Sequence, residues 1–492
     1  LTHYNLANAL RIQGKIGGAI QHYRQALELR GDFAQAHNNL GLALMAIAQL
    51  DEAKTQYRKA LDLQPEFADA ANNLSCVLLD EHDYDAAIEW LERALKHSQH
   101  ASVLYGNLAY ALVMNRSWDK AKETIDAGFK ASAQSVLLNV AYAQFLSEKK
   151  EYKQATDLLS KLDVSTAIDK ERKLYHYELG KLYDRLGDPE GAHRHLLEAN
   201  RLAQNEAGQN GILKDPYLQQ VETISNAPLT VTTQKTPNDQ ATPVFLVGFP
   251  RSGTTLLDQI IDTHPGFATL EEKPFINNIA KAVSTLPGGY PNALADLSNA
   301  QLDDLRADYW TAVHGELELQ KSTTLVDKLP LSIIHVGLIH RLFPNAKFIL
   351  AIRHPCDACH SSFMQNFLIN SAMANFFTLE ETTHLYVKVM DLWHKYSQGL
   401  SIDFHMVRYE DLVKDLEGEA RKLFTFLDQP WDDAVLAYYE HARKRKTIST
   451  PSRAQVDKPI YTDAVYRWKR YGSVMKGPAK TLKPYIDLFG YE

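Results

Sequence analysis

Hydrophobic and small residues in the first half of the chain recur every 34 residues. The pair Asn-Leu recurs at Asn5-Leu6, Asn39-Leu40, Asn73-Leu74 and Asn107-Leu108. A small residue recurs at Ala19, Ala53, Ala87, Ala121, Ala155 and, three residues late, Ala192. A second small position, seven residues further on, holds Ala26, Ala60, Ala94, Gly128 and Ala199, but Leu162 in the fifth copy. Small residues let two helices approach closely, so residues 1–204 are predicted to form about six helix pairs.

This period resembles the tetratricopeptide (TPR) pattern, which also accounts for Tyr23, Tyr57 and Pro65. The resemblance implies an all-α superhelix with a concave groove. A coiled coil would need heptads, which a 34-residue period does not support. We expect Asn39 and Asn73 either to line the groove and bind a peptide backbone, or to form hydrogen bonds between repeats.

A different pattern begins after the repeats. Residues 205–242 lose the period, and their Pro, Asn and Thr content predicts a loop or linker. From residue 243 to 492, short apolar runs alternate with helical patterns, which predicts βα units and a parallel sheet. Strand candidates are residues 244–247, 324–326, 347–352 and 404–407. Ligands bind at the carboxyl ends of such strands, so Arg251, Lys328, Arg353 and Tyr409 should converge on one crevice.

Residues 243–257 predict a strand, a turn between Gly248 and Gly253, and a helix. Such a loop aims backbone N–H groups at an anion, usually a phosphate, although an ordinary turn is the alternative. The stretch nearly matches the phosphate loop of NTPases, but Thr254 replaces the lysine that holds the β- and γ-phosphates. This disfavours an NTPase or a nucleotide kinase. Several converging cations without that lysine predict a ligand with more than one anionic group.

Composition narrows the class of protein. The 492 residues are too many for one core, and the net charge of −7 argues against general nucleic-acid affinity. Three cysteines make no disulfide framework and suit a reducing compartment. No apolar run approaches the ~18 residues of a membrane span, and no signal peptide is visible, so we expect a cytoplasmic protein. Leu1 falls inside a repeat, which leaves open a missing N-terminal segment.

Two segments resemble the sulfotransferases that use 3′-phosphoadenosine 5′-phosphosulfate (PAPS). Residues 249–257 look like their 5′-phosphosulfate loop, and residues 345–361 look like the strand and helix that hold the 3′-phosphate. Further motifs resemble the tyrosylprotein sulfotransferases: Asp262-x-His264-Pro265, Glu271-Glu272, Lys328-x-Pro330, Phe343 to Phe348, Tyr409-Glu410, Pro430-Trp431, and Ser452 to Pro459. The similarity spans most of residues 243–492. It implies a C-terminal α/β, P-loop-like sulfotransferase domain with a parallel sheet.

The resemblance also implies roles for individual residues. Glu272 is the candidate general base, with His264 as a rival or as a structural residue. The candidates for stabilising charge on the transferring sulfuryl group are Arg251, Lys328 and Ser452. The candidates for binding PAPS are Arg251, Ser252, Gly253, Thr254, Thr255, Arg353, Ser361, Tyr409 and Arg467. Surface ion pairs, turns and a solvated basic helix around Lys469 and Arg470 are the alternatives.

No metal is expected, because cationic side chains can stabilise the reacting groups. Cys356-x-x-Cys359, flanked by His354 and His360, is the one candidate for zinc or redox chemistry. A zinc site needs four ligands, and no second Cys/His cluster appears in the sequence. We therefore expect these residues to belong to a helix and to pack there, and we assign no role to the two thiols.

The sequence predicts a PAPS-dependent sulfotransferase whose acceptor is a hydroxyl, with protein tyrosine favoured. The alternatives are a carbohydrate or small-molecule sulfotransferase, and a TPR scaffold with an inactive nucleotide-binding domain. The TPR groove is expected to recruit a protein or peptide, or else to dimerise the chain. The chain departs from the resembled family at Gln365, at Arg467 and in Arg353-His354-Pro355-Cys356, which leaves the acceptor open.

Overall fold

The computed structural model describes residues 1–230 except 48, 82 and 98–100, residues 242–444 except 321, residue 456, and residues 458–491 except 461. The chain divides into two compact units. The first contains Leu1–Leu213, and the second contains Lys214–Phe367 and Ser371–Glu492. Each unit has its own architecture.

The described part of the first unit is a series of six helix pairs, one for each copy of the repeat. The helices are α1 (Thr2–Ile12), α2 (Ile16–Leu29), α3 (Ala34–Met45), α4 (Leu50–Leu63), α5 (Ala68–Asp80), α6 (Tyr84–Leu95), α7 (Ala101–Met114), α8 (Trp118–Ala131), α9 (Val136–Glu148), α10 (Tyr152–Ser160), α11 (Asp169–Leu186) and α12 (Pro189–Gln209). Gly128, one of the recurring small residues, shows why they recur, because a Cβ there would stand 3.0 Å from Cβ of Tyr105 in the paired helix α7. The small positions therefore set how closely paired helices pack.

The irregularities of the fifth and sixth repeats have a structural cause. Leu162 replaces a small residue without a clash, since it lies beyond the end of α10 at Ser160. Ala192 comes three residues late because α11 is 18 residues long, whereas α9 has 13. The array therefore absorbs the inserted residues in one longer helix and keeps its pairing.

Asparagines connect neighbouring repeats through what we call the amide ladder. Its bonds run from Asn39 Nδ2 to Asn8 Oδ1 at 2.9 Å, from Asn73 Nδ2 to Asn38 Oδ1 at 2.9 Å, and from Asn107 Nδ2 to Asn72 Oδ1 at 2.7 Å. Of the two interpretations of Asn39 and Asn73, the structure supports hydrogen bonding between repeats. The side-chain amides of Asn39 and Asn73 thus donate hydrogen bonds within the array rather than to a bound peptide.

The predicted linker, residues 205–242, is partly helical. α12 continues to Gln209, and α13 (Asp215–Asn226) belongs to the second unit, where it packs on α19 (Leu379–Gly399). Lys395 Nζ donates to the carbonyl oxygens of Ser225 at 2.6 Å and Ala227 at 2.5 Å. Residues 231–241 lie outside the described part. The buried Tyr217, Val221 and Ile224 of α13 do follow a helical period, which the sequence analysis overlooked among the Pro, Asn and Thr residues of this stretch.

The second unit is organised around a sheet of five parallel strands in the described residues, which confirms the predicted α/β class. The strands, in chain order, are β1 (Val244–Gly248), β2 (Phe267–Glu271), β3 (Thr324–Lys328), β4 (Lys347–Ile352) and β5 (Asp403–Arg408). Their order across the sheet is β2-β3-β1-β4-β5. β2 was absent from the sequence prediction because Thr269 and Glu271 interrupt its apolar residues.

Helices and 3₁₀ segments complete the second unit. The remaining helices are α14 (Thr254–Asp262), α15 (Phe275–Ser284), α16 (Asn299–Glu316), α17 (Val336–Leu342), α18 (Pro355–Phe363), α20 (Tyr409–Lys414), α21 (Leu416–Phe426), α22 (Tyr438–Lys444) and α23 (Gly472–Leu488). The 3₁₀ segments are 292–294, 330–335, 373–376, 433–437 and 467–471. Leu257 and Ile260 of α14 share a buried cluster with Leu246 and Val326 of the sheet, which fixes the loop between β1 and α14.

Candidate active site

The carboxyl ends of the five strands lie along one edge of the sheet. In sheet order, Glu272 follows β2, Lys328 ends β3, the loop 249–253 follows β1, Arg353 follows β4 and Tyr409 follows β5. Neighbouring strands are ~4.8 Å apart, so the row extends over roughly 20 Å. The four residues predicted to converge, three cations and one tyrosine, therefore lie along this one edge.

The loop between β1 and α14 has a backbone that few residues tolerate. Gly253, at the start of α14, has φ +94°, and Arg251 has φ +68°. A Cβ on Gly253 would also stand 2.9 Å from Cδ2 of Tyr409. The first N–H groups of an α-helix lack intrahelical acceptors and carry the positive end of the helix dipole. With the neighbouring side chains of Thr254 and Thr255 buried, the loop can hold an anion chiefly through its backbone.

Arg251 and Arg353 lie together beside the loop. Arg251 Nε donates to Ser361 Oγ at 3.2 Å, and Arg353 Nη1 donates to the Arg251 carbonyl oxygen at 3.4 Å. The Arg353 guanidinium carbon is 5.0 Å from the ring centroid of Tyr409, a cation–π distance. Arg353 is only 7% exposed, and its buried Nε has no hydrogen-bond partner among the described residues. The structure thus brings four of the predicted binding residues into one cluster, with arginine donor capacity left over.

Lys328, at the end of β3, and Glu272, after β2, form an ion pair on the β2–β3 side of β1. Lys328 Nζ is 2.9 Å from Glu272 Oε1; the lysine side chain is fully buried and that of Glu272 is 37% exposed. Burial acts to lower the pKa of Lys328, but the carboxylates of Glu272, Asp258 and Glu271 outweigh it and raise the pKa above its ordinary value. Lys328 is therefore a buried, protonated ammonium beside a partly accessible carboxylate.

Glu271 and Glu272 do not point apart, as adjacent residues of regular structure would. Glu272 has φ +49°, in the left-handed region, and its N–H donates to the Lys328 carbonyl oxygen at 2.7 Å. Glu271 Oε1 accepts from Gln259 Nε2 at 3.2 Å. The left-handed residue breaks the alternation of the strand, so both carboxylates lie near Lys328.

Hydrogen bonds and ring stacking give His264 a structural role. The Gly266 N–H donates to His264 Nδ1 at 3.0 Å, and His264 Nε2 lies 2.9 Å from the Pro430 carbonyl oxygen, to which it donates in the matching tautomer. The buried ring stacks on Phe424 with centroids 4.8 Å apart. Both ring nitrogens are used, which agrees with the structural interpretation and leaves none for a substrate proton.

A C-terminal segment, residues 462–471, contacts the Arg353 cluster, and we call it the strap. Arg353 Nη2 donates to the Ala464 carbonyl oxygen. The Trp468 N–H donates to Asp357 Oδ1 at 2.8 Å, and its ring stacks on His354 with centroids 5.1 Å apart. Burial lowers the pKa of Arg467, which remains a cation. Arg467 is thus placed in a segment tied to the Arg353 cluster through backbone and ring contacts.

Comparison with known proteins decides the family. Residues 243–433 match the model described as "Sulfotransferase family". Residues 243–433 of the second unit are a sulfotransferase-family domain. Models described as TPR or tetratricopeptide repeats match residues 3–47, 43–102 and 78–137. The chain therefore joins TPR repeats to a sulfotransferase domain, as the sequence predicted.

Relatives cover different parts of the chain. An Aquifex aeolicus protein described as uncharacterized is 29% identical over 371 residues, which are 72% of this chain and 47% of the relative. A protein-tyrosine sulfotransferase of Drosophila melanogaster is 27% identical over 263 residues, 51% of each protein. Protein-tyrosine sulfotransferase 1 of Danio rerio is 30% identical over 243 residues, 46% of this chain and 65% of the relative. This chain spans about half the length of the first two relatives.

Two other sequence expectations concern the sulfotransferase domain. Ser452 lies outside the described residues. Cys356 and Cys359 are buried free thiols, and burial raises the pKa of Cys356 to about 12, so it is protonated. The described residues hold no cluster of three or more His, Cys, Asp or Glu arranged for a metal. Across that same part of the chain, every helix is too short or too polar to cross a membrane.

Sequence reasoning overlooked three buried carboxylates of the sulfotransferase domain. Asp258 lies near Lys328, Asp357 accepts from the strap, and Glu410 accepts from the His354 N–H at 2.9 Å. Burial raises the pKa of Asp357 to about 6. The signal for Asp258 was available, because Asp258-Gln259 interrupts the apolar residues of a helix that must pack on a sheet. The other two contacts join distant segments, which periodicity does not reveal.

Proposed function

We propose that the protein is a PAPS-dependent sulfotransferase. The observation that carries the proposal is that Arg251 and Arg353 lie together, next to the buried Lys328–Glu272 pair, in a sulfotransferase-family domain. A nucleotide with two separated anionic groups, one of them reactive, fits this arrangement. An inactive scaffold would not need a buried lysine paired with an accessible carboxylate.

In this proposal PAPS lies along the strand ends. The 5′-phosphosulfate is held by the loop of Arg251, Ser252 and Gly253 and by the first turn of α14, where Thr254 and Thr255 add hydroxyl groups. Arg353 and Ser361 hold the 3′-phosphate, and the planar guanidinium suits a bidentate contact. Tyr409 lies near the adenine, and the strap with Arg467 folds over the nucleotide. The unpartnered Arg353 Nε supports this fit.

The chemistry assigned to the site is an in-line displacement at sulfur. The acceptor oxygen forms a bond to sulfur while the bond from sulfur to the 5′-phosphate oxygen breaks, and the hydroxyl proton passes to Glu272. Lys328 and Arg251 stabilise negative charge on the transferring group and on the leaving phosphate. Ser452 is proposed as a third stabilising group on resemblance alone. The products are a sulfate ester and the 3′,5′-bisphosphate nucleotide.

We propose a protein tyrosine as the acceptor, recruited by the TPR repeats. The protein-tyrosine sulfotransferases among the relatives support the tyrosine, and six helix pairs give more surface than a small acceptor needs. The amide ladder uses Asn39 and Asn73 internally, so other groove side chains must bind the acceptor. A carbohydrate or small molecule is the alternative acceptor.

Binding and transfer experiments test this proposal separately. Calorimetric titration should show clear preference for adenosine 3′,5′-bisphosphate over AMP, and Arg353→Ala should erase that preference while Arg421→Ala, a surface arginine, should not. Labelled PAPS should then transfer its label to tyrosine peptides rather than glycans. Equal affinity for the two nucleotides would contradict the nucleotide assignment, and transfer only to glycans would contradict the acceptor.

A further inference from the structure

Protonation of Glu272 creates a charge problem at Lys328, and this inference rests on the proposed function. Lys328 is fully buried and its ammonium pairs with Glu272 at 2.9 Å. If Glu272 takes the acceptor proton, it becomes neutral while Lys328 keeps its charge. A buried cation without a counter-charge is strongly destabilising. The transferring sulfuryl group and the neighbouring carboxylates are then the groups left to balance that charge.

Sheet register places Glu271 on the same face as Lys328. Glu271 and Lys328 are paired residues of β2 and β3, and Lys328 is also paired with Leu246 of β1. Paired residues of neighbouring strands project to the same side of a sheet. Leu246 packs in the cluster that contains Leu257 and Ile260 of α14. The Lys328 side chain therefore emerges on the face that α14 covers.

α14 carries a carboxylate and an amide at that position. Asp258 and Gln259 are both fully buried in α14. Gln259 Nε2 donates to Asp258 Oδ2 at 2.8 Å and to Glu271 Oε1 at 3.2 Å. One amide group thus holds two carboxylates, one on the helix and one on the strand. The charged groups that act on Lys328 are Glu272 and Glu271 beside β2 and Asp258 from α14.

We propose that Asp258, held to Glu271 by Gln259, is a positioning residue that supplies the counter-charge for Lys328 when Glu272 is protonated. Asp258 does not touch the acceptor. It keeps the ammonium in place for the transferring group, and its negative charge makes Glu272 a better proton acceptor. Glu272 can then leave the ion pair without leaving Lys328 uncompensated.

The pH profile of kcat tests this assignment. Asp258→Asn removes a negative charge from the surroundings of the Lys328–Glu272 pair, and nearby negative charges favour proton uptake by a carboxylate. We expect the acidic limb of kcat to move to lower pH by about half a unit and kcat to fall about tenfold, with KM for PAPS nearly unchanged. Glu316→Gln, which removes an exposed carboxylate paired with Lys273, should leave the limb in place. A fall in kcat without movement of the limb would overturn the proposal.

A stability cycle tests the counter-charge without relying on activity. Glu272→Gln and Asp258→Asn should each lower Tm modestly, and the double variant should lower it by more than the sum, because Lys328 then loses two partners. Adding Lys328→Met to the double variant should restore much of the loss. Glu272→Gln with Glu316→Gln should be additive. Additivity in the Glu272/Asp258 pair, or no restoration by Lys328→Met, would overturn the counter-charge proposal. Absence of sulfate transfer by the wild-type protein would refute the proposed function alone, and the stability cycle would still test the counter-charge.

Discussion

Two residues of the site, Arg251 and Glu272, have left-handed backbones that nonglycine residues rarely adopt. Such conformations cost roughly 1–3 kcal/mol each and persist when the surrounding structure fixes them. At Glu272 the unusual φ directs the carboxylate toward Lys328 instead of the opposite face. The sequence motif identified Glu272 as a candidate, whereas only the structure shows how two adjacent glutamates can both lie near Lys328.

Glu272→Gln tests the base at this scale. The amide keeps the shape and can still accept from Lys328, but it cannot take the acceptor proton. We expect kcat to fall by about a hundredfold or more while affinity for adenosine 3′,5′-bisphosphate is retained. His264→Asn, in contrast, should lower stability and spare kcat in the folded fraction. If His264→Asn abolishes turnover and Glu272→Gln does not, the two roles are reversed.

Asp327, next to Lys328, should make stability depend on pH. Burial raises the pKa of Asp327 to about 7, and Tyr309 donates to its Oδ2 at 2.9 Å. Between about pH 4 and pH 7 the Asp327 carboxyl is ionised in the unfolded chain but keeps its proton in the folded state. The free energy of unfolding therefore falls as pH rises through this window. Asp327→Asn should remove up to about 1.4 kcal/mol per pH unit of that slope. Urea unfolding at several pH values measures it, with exposed Asp308→Asn as the control; an unchanged slope would contradict the assignment.

At the scale of elements, a histidine pair links the two helices of the sixth repeat. His176 Nδ1 and His195 Nδ1 are 2.9 Å apart, and His37 and Gln56 make the equivalent contact, also 19 residues apart, at 2.7 Å. Burial lowers the pKa of His195 to about 4 and also lowers that of His176. Their neutral forms are therefore part of the folded array.

The sixth repeat should consequently lose stability in acid. As pH falls below about 6.5, both histidines of the unfolded chain take up protons, whereas in the folded state His195 stays neutral until about pH 4, so stability falls through this window. His195→Gln copies the His37–Gln56 pair and should make that loss shallower while keeping the hydrogen bond. Thermal unfolding at pH 7, 6 and 5 measures it, and His97→Gln, on the surface, should behave as wild type. An acid sensitivity unchanged in His195→Gln would refute this.

Sequence patterning predicted these elements unequally. Period and small residues predict the helix pairs, since helix contacts repeat locally. Four strands were predicted from apolar runs, but β2 was missed because its pairing with β3 compensates for its polar residues. α13 was missed for a different reason: its apolar residues Tyr217, Val221 and Ile224 have a helical period, but they lie in a stretch that Pro, Asn and Thr residues mark as a linker. Motifs predicted most site residues, whereas the roles of Asp357 and Glu410 needed three-dimensional contacts.

At the scale of the molecule, the TPR repeats should affect recruitment rather than chemistry. Binding an acceptor protein to the repeats raises its local concentration at the site and lowers the apparent KM. A chain that begins at Lys214 keeps α13 and removes the repeats. For a protein acceptor, we expect its KM to rise about tenfold or more, with kcat on short tyrosine peptides unchanged. Steady-state kinetics of the two chains measures this.

The start of the shortened chain provides its own control. A chain that begins at Pro228, just past α13, should unfold at lower temperature, because Lys395 then loses two carbonyl partners and α19 loses a packing surface. This separates failure to fold from failure to recruit. If the folded chain from Lys214 sulfates its acceptor protein with unchanged KM, the repeats serve another purpose.

The amide ladder has a consequence for how such an array can change length. Asn38 accepts from Asn73, and Asn72 accepts from Asn107, so donor and acceptor sit at matching places in successive copies. A tandem duplication of the 34 residues 38–71 would therefore create a new copy that already carries both halves of the bond. Lengthening this way needs no compensating substitution, and the groove can extend by whole repeats while the catalytic half of the gene stays unaltered.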